Sequence, residues 1–180
     1  DIARFGADST IVVVWHGLVA LKIFRYQKLD TTQVASKIKE IRIRHGVSVS
    51  NVICDEDGVG GGVVDQLKCK GFLNGSRALK EENFRNLKSQ CYFKLSEIVN
   101  KGDILIKDIS HDDKTMLIEE LEQVKQHQMD KDGKKSVTPK EEVKKLLGRS
   151  PDLSDAIMMR AYFEYFPAHK TNSKLFSSFG

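Results

Sequence analysis

The sequence has little sulfur, no long apolar run and no nucleotide-binding signature. Its three cysteines, Cys54, Cys69 and Cys91, are odd in number and form no C-x-x-C pair. A disulfide framework and a structural zinc site are therefore not expected, and a reducing cytosol is the natural compartment. The longest apolar run, Ile11 to Trp15, is too short to cross a bilayer, and no signal peptide is visible. The glycine-rich stretch Gly58-Val-Gly-Gly-Gly62 lacks the G-x-x-x-x-G-K-[ST] pattern, and no lysine follows to reach a nucleotide. ATP binding is not expected on that ground. His16, His45, His111, His127 and His169 show no ligand spacing, no Ser/His/Asp order stands out, and there are no internal repeats.

What is present describes an ordinary soluble domain. The chain has 180 residues, 40% of them hydrophobic and 30% charged, enough for one domain with a substantial core. Its 29 basic and 25 acidic residues leave a net charge of +4, compatible with nucleic acid without demonstrating it. If the acids gather in one pocket, the rest of the surface is more basic than the total. The chain opens on Asp-Ile-Ala-Arg-Phe-Gly, which reads as a strand entered partway along and suggests a domain cut from a longer protein.

Ser9 to His16 and Leu18 to Tyr26 read as an antiparallel hairpin around Gly17. Asp30-Thr31-Thr32 starts a helix to about His45, with Val34, Ile38 and Ile41 on one face and Gly46 as its stop. Val47 to Cys54 is predicted to be a central strand, followed by a glycine-rich turn, a helix from Val63 to Lys70, and a short strand at Phe72-Leu73. This order argues for an α/β domain with a partly parallel sheet. Helices are expected over Asn86–Asn100 and Asp112–Val124, with a short strand Ile104–Ile106 between them. Asp132-Gly133 signals a β-hairpin between Gln123 and Pro139 that carries Lys125, Lys131, Lys134 and Lys135. A helix Lys140–Leu147 and a final one from Asp152 to about Phe166 complete the pattern, and residues 168–180 read as a fraying tail.

Four acids from distant segments are candidates for one site. Asp1 belongs to the first strand, and Asp55 ends a central one, at the edge where α/β sheets place their sites. Asp152 and Asp155 share a face at the start of the last helix. Converging carboxylates repel one another unless a cation sits among them, and hard divalent ions favour such oxygens. Each acid also has a plainer use: Asp55 in a turn, Asp152 at a helix N-terminus, Asp8 in a turn before the second strand. Asp155 is harder to explain away, because Ala-Ile-Met-Met follows it on a helix that looks buried. Gly58 and Gly60 allow a tight turn, or close approach of a metal or DNA backbone to Asp55.

Three segments resemble a known family. Asp1-Ile-Ala-Arg-Phe-Gly-Ala-Asp-Ser9, Asp55-Glu-Asp-Gly-Val-Gly-Gly-Gly-Val-Val-Asp65 and Gly148-Arg-Ser-Pro-Asp-Leu-Ser-Asp-Ala-Ile-Met-Met159 are similar, in order and spacing, to the C-terminal nuclease domain of tailed-phage terminase large subunits. Asn86-Leu-Lys-Ser-Gln-Cys-Tyr-Phe93 resembles that family's middle block. The resemblance implies an RNase H-like fold over residues 1–167, with a central mixed sheet flanked by helices and a hairpin insertion near 123–139. It implies Mg²⁺- or Mn²⁺-dependent cleavage of double-stranded phage DNA concatemers, with two ions, in the host bacterial cytoplasm. Asp1, Asp55 and Asp155 match the catalytic acids and Asp152 an accessory ligand; Asp8, Gly58 and Gly60 are further accessory candidates. Lys88, Lys125, Lys131, Lys134, Lys135 and Arg149 are candidate DNA contacts. The implied partners are a packaging ATPase domain, which this chain does not encode, a terminase small subunit and a portal protein, with no membrane. The alternatives are another RNase H-like nuclease of resolvase or integrase type, and a non-catalytic docking domain that retains the fold.

Overall fold

Alternating β-branched residues fold the start of the chain into a hairpin in the computed structural model, which describes residues 1–3, 8–127 and 132–166. Strand β1 (Thr10–His16) pairs antiparallel with β2 (Val19–Tyr26), from Thr10 opposite Tyr26 to His16 opposite Val19. Gly17 makes the turn at φ +58°, a conformation that costs glycine little. Ahead of the hairpin, Asp1 pairs with Ile11 in both directions, donating to its carbonyl (3.0 Å) and accepting from its N–H (3.1 Å). The first acid is thereby fastened alongside β1.

Helix α1 (Thr31–Arg44) begins with a reciprocal capping box between Asp30 and Gln33, which satisfies two backbone donors at once. Its buried face is Val34, Ala35, Ile38 and Ile41. The strand expected over Val47–Cys54 is shorter than predicted. Val49–Asn51 form a 3₁₀ turn, in which Asn51 donates to the Ser48 carbonyl and Val52 to that of Val49. Ser48, Ser50 and Asn51 interrupt the valines, and such residues favour local bonding over a ladder. Only Ile53–Asp55 remains as β3. Helix α2 (Gly60–Leu67) starts three residues before its predicted position, and it leads to β4 (Lys70–Phe72), which lies parallel to β3.

Helix α3 (Leu87–Asn100) is capped by Asn86, whose side chain accepts from the Ser89 N–H. Strand β5 (Leu105–Ile106) joins β2 in parallel, and α4 (His111–Gln123) follows the cap Ser110. The expected hairpin is present as β6 (Gln126–His127) against β7 (Ser136–Val137), antiparallel; its Lys131 lies outside the described residues, as does the tail 168–180. Helix α5 (Lys140–Leu147) ends at Gly148 in the left-handed region. Helix α6 (Asp152–Met159) is shorter than predicted because the chain tightens to 3₁₀ geometry over Arg160–Tyr165.

The architecture is a mixed sheet of order β1-β2-β5 and a parallel pair β3-β4, flanked by helices. One core packs α3, α4 and α6 on the sheet through Ile11, Leu95, Leu117, Leu153, Ile157 and Met158. A second packs α1 and α2 on β3 through Val34, Ile38, Cys54 and Val63. Helix α6 therefore lies fully buried between layers, every one of its eight residues included. That is why two acids on it demand an account.

Candidate metal centre

Asp55 ends β3, and its surroundings are built to present it. Its Oδ1 accepts the N–H of Asp57 (3.0 Å) and the amide of Asn74 (3.2 Å), while Asn74 also donates to Asp57 (2.7 Å). Gly60, the first residue of α2, lies directly against the Asp55 carbonyl. A Cβ there would stand 1.8 Å from that oxygen, so only glycine lets the helix start so close. Gly58 turns the chain at φ +60°. Gly58 thus serves a tight turn, and Gly60 lets the chain's own helix, rather than a metal or a DNA backbone, approach Asp55. Burial raises the Asp55 pKa, outweighing the hydrogen bond from Asp57.

Asp152 and Asp155 occupy the first turn of α6 and have opposite environments. Asp152 Oδ2 accepts the Ser9 N–H (2.7 Å), and burial pushes its pKa up. Asp155, with a side chain 6% exposed, is ion-paired to Lys88 of α3 (2.7 Å) and Lys140 of α5 (2.9 Å). It also accepts a hydrogen bond from the Tyr92 hydroxyl (2.7 Å). Burial alone would favour its neutral form. Lys88 and Lys140 reverse this and hold the carboxyl at about 2. Lys140 is stabilised in return: burial works against its charge, but Asp155, Asp152 and Asp55 together raise its pKa.

Lys140 thus feels three of the four acids, and the backbone nitrogen of Asp1 lies near the same three. The four residues share one edge of the fold, drawn from Asp1 beside β1, the end of β3 and the start of α6. They are gathered without being closed up: among the described residues, no three His, Cys, Asp or Glu side chains come together tightly enough to hold an ion. The lysine ammoniums meanwhile supply the positive charge at Asp155. The donor set still suits a hard divalent cation, since every candidate is a carboxylate and, among the described residues, no cation is ion-paired to Asp55 or Asp152.

The remaining sequence candidates fall outside this group. Asp8, about half exposed, faces Lys144 (3.6 Å). Lys134 and Lys135 are exposed on the hairpin, with Lys135 lying over the rings of Phe84 and Phe93 at 6.0 Å from each. Lys125 joins the hairpin base by backbone bonds to Thr138. Arg149, 28% exposed, bonds Glu120, Glu119 (3.0 Å) and the Met116 carbonyl (3.3 Å) through its guanidinium.

Lys140, Tyr92, Asn74 and Glu120 were missed by the sequence reading. Two signals pointed to the first pair. Lys88 and Tyr92 are four apart and so share a face of α3. Lys140 stands in the first turn of α5, where a cation opposes the helix dipole and needs another reason to be there. Asn74 and Glu120 left no pattern, because their partners are far away in sequence.

No family model matches this chain, and no curated protein sequence does. Solved structures match it well. The nuclease domain of the large terminase subunit gp2 of bacterial virus Sf6 has a TM-score of 0.73 and 25% identity, covering 88% of this chain and 84% of that one. The same values hold for a lysine-to-alanine mutant of that domain with calcium. The large terminase nuclease of thermophilic phage G20c with bound cobalt, at 12% identity and a TM-score of 0.53, shares the fold. This chain has the RNase H-like fold of the nuclease domains of phage large terminase subunits.

Proposed function

We propose that this domain is a divalent-metal-dependent endonuclease that cuts double-stranded DNA during packaging of a phage genome. The observation that carries the reading is the acid edge itself: Asp1, Asp55 and the Asp152/Asp155 pair, on three separate segments, with Lys88 and Lys140 standing where positive charge is required. The likeness to terminase nuclease domains, some with manganese, calcium or cobalt bound, supports it. Asp1, Asp55 and Asp155 are the proposed ligands, with Asp152 as accessory, for two Mg²⁺ or Mn²⁺ ions. Held by these carboxylates, the ions would supply Lewis-acid chemistry suited to phosphodiester hydrolysis.

The chain's own residues do the rest. Asn74 and the Asp57 N–H fix the Asp55 carboxylate. Ser9 fixes that of Asp152, and Tyr92 that of Asp155. The exposed Lys134 and Lys135 of the hairpin are proposed phosphate contacts, which would hold DNA without reading its sequence. The full-length protein is proposed to include a packaging ATPase domain and to act with a small subunit and a portal protein in the host cytoplasm. No helix among the described residues is long and apolar enough to cross a membrane.

Asp55→Asn is the direct test. With plasmid as substrate and either Mg²⁺ or Mn²⁺, its cleavage rate is expected to fall by about a hundredfold or more, because metal-based stabilisation is worth several kcal/mol at tenfold per 1.4 kcal/mol. Cutting at the wild-type rate would overturn the assignment. Comparing linear duplex, a four-way junction and an RNA–DNA hybrid distinguishes a packaging nuclease from a resolvase or an RNA-cleaving relative, and the duplex is the expected substrate.

The acids also set a pH dependence. Burial raises the pKa of both Asp55 and Asp152 above the ordinary 3.8. In the metal-free protein their ionisation therefore costs stability as pH rises above that value. Asp155, held at about 2, stays charged throughout the range. Protons and metal compete for Asp55 and Asp152, so the rise in Tm caused by Mn²⁺ is expected to grow from about pH 4.5 to pH 7.5. Differential scanning fluorimetry across that range checks it, and a shift independent of pH would contradict the role of these two acids.

A further inference from the structure

We propose that Glu120 is a positioning residue for the acid edge, acting through the first turn of α6. The inference rests on the nuclease reading and identifies the part of the fold that aims two of its ligands.

Helix α6 starts without a cap of its own. Its N-cap position is Pro151, which offers no side-chain acceptor, yet the first backbone N–H groups of any helix lack partners within the helix. The missing acceptor comes from a different helix. Glu120, in the penultimate turn of α4 and only 1% exposed, accepts the Ser154 N–H through Oε2 at 2.7 Å. Its other oxygen, Oε1, takes the guanidinium of Arg149, which stands on the short link between α5 and α6. Arg149 is itself braced by Glu119 (3.0 Å) and the Met116 carbonyl (3.3 Å), both on α4. One carboxylate thus joins α4 to both the link and the helix that it leads into.

Ser154 is the residue between the acids. Asp152 is two positions before it and Asp155 immediately follows, so fixing the Ser154 backbone fixes the Cα positions of both. The same residue's Oγ lies 3.1 Å from the Tyr92 hydroxyl, the group that also holds Asp155. A buried carboxylate bonded to a backbone N–H and to arginine is a strong, directional restraint. Burying Glu120 so deeply is costly, and the bonds from the Ser154 N–H and Arg149 offset that cost. An apolar residue there would satisfy the α4 core but leave the start of α6 unheld. Residues that orient metal ligands from behind change metal affinity by about 10–100-fold when altered.

The test measures the Mn²⁺ concentration giving half-maximal plasmid cleavage, together with kcat at saturating Mn²⁺ and Tm without metal. Glu120→Ala removes both bonds. Glu120→Asp keeps the charge but shortens the reach, and Glu120→Gln keeps an oxygen for the Ser154 N–H. Half-saturation is expected to rise about tenfold or more in Glu120→Ala and Glu120→Asp, and to return most of the way in Glu120→Gln. Should Glu120→Ala fail to fold, the Asp and Gln variants carry the comparison. A purely structural role predicts a lower Tm with an unchanged Mn²⁺ requirement in every folded variant, and that result would overturn the proposal. Wild-type protein that neither binds Mn²⁺ by calorimetry nor cuts would instead overturn the nuclease reading, and this inference with it.

Discussion

Asp155→Asn is expected to abolish cleavage and to destabilise the metal-free protein, a combination that separates it from its neighbours. Asp155 is buried against two ammoniums, Lys88 at 2.7 Å and Lys140 at 2.9 Å, with Tyr92 bonded to it as well. Asparagine keeps the shape but leaves both lysines without their counter-charge. Removing one partner of a buried pair costs about 3–5 kcal/mol. Lys140 is 36% exposed and can turn toward water, whereas Lys88, at 13%, has less freedom. A loss near the lower end, about 3 kcal/mol, lowers Tm by about 6–12 °C in a domain of this size. Cleavage should fall at least about a hundredfold, since a proposed metal ligand is lost.

Asp55→Asn gives the contrast. Burial already disfavours the Asp55 charge, and the amide retains an oxygen for the Asp57 N–H. Cleavage should fall by about a hundredfold or more while metal-free Tm holds or rises. Thermal melts without metal, run beside plasmid assays, check both variants. A wild-type Tm for Asp155→Asn would show that the lysine pairs contribute nothing to stability, and the account of Asp155 would fail.

Gly60→Ala is expected to damage the fold where the same change usually helps. In a helix, alanine is favoured over glycine by about 0.5–1 kcal/mol. Here the new methyl would overlap the Asp55 carbonyl, 1.8 Å from the oxygen and 2.8 Å from the carbon, and both atoms are backbone. Either α2 moves off β3 or the end of β3 moves, and overpacking of this kind costs about 1–3 kcal/mol or more. Gly61 is the internal control. Its added Cβ would meet only the Glu56 carbonyl at 3.5 Å, an ordinary contact. Tm should therefore fall for Gly60→Ala, by about 2–12 °C, and hold or rise for Gly61→Ala. Metal-dependent cutting should weaken only in the former, because the displaced group is Asp55 itself. Equal melting temperatures for the two variants would refute the close-approach account.

The two substitutions also show how much of the site could be read in advance. That the glycines beside Asp55 allow a tight turn was legible, because a glycine run after a strand has few uses once the phosphate-loop pattern is missing; that one of them lets α2 pack on the Asp55 carbonyl was not. Which glycine was indispensable was not, since Gly60, Gly61 and Gly62 are equivalent as letters and differ only in what lies opposite their Cα atoms. Asp155 stood out because a buried helix rarely tolerates an acid. Its lysine partners lie 67 and 15 positions away in sequence, counting from Lys88 and Lys140 to Asp155, and only packing of α3 and α5 against α6 brings them in.

Local chemistry was enough for the elements. The capping box at Asp30, the caps at Asn86 and Ser110, and the turns at Gly17 and Gly148 each act within a few residues, so short-range bonding settles them. The order of strands and helices followed, and with it the α/β class. The misreadings were also local in origin: Val47–Cys54 looked like a strand by its valines, but the serines between them took the 3₁₀ turn. Tertiary structure alone decided the electrostatics. It placed Arg149 on Glu120, gave Asp152 a backbone donor and Asp155 two cations, and set their pKa values moving in opposite directions. Charges act through space across segments that the chain keeps far apart, so no linear pattern could have carried that information.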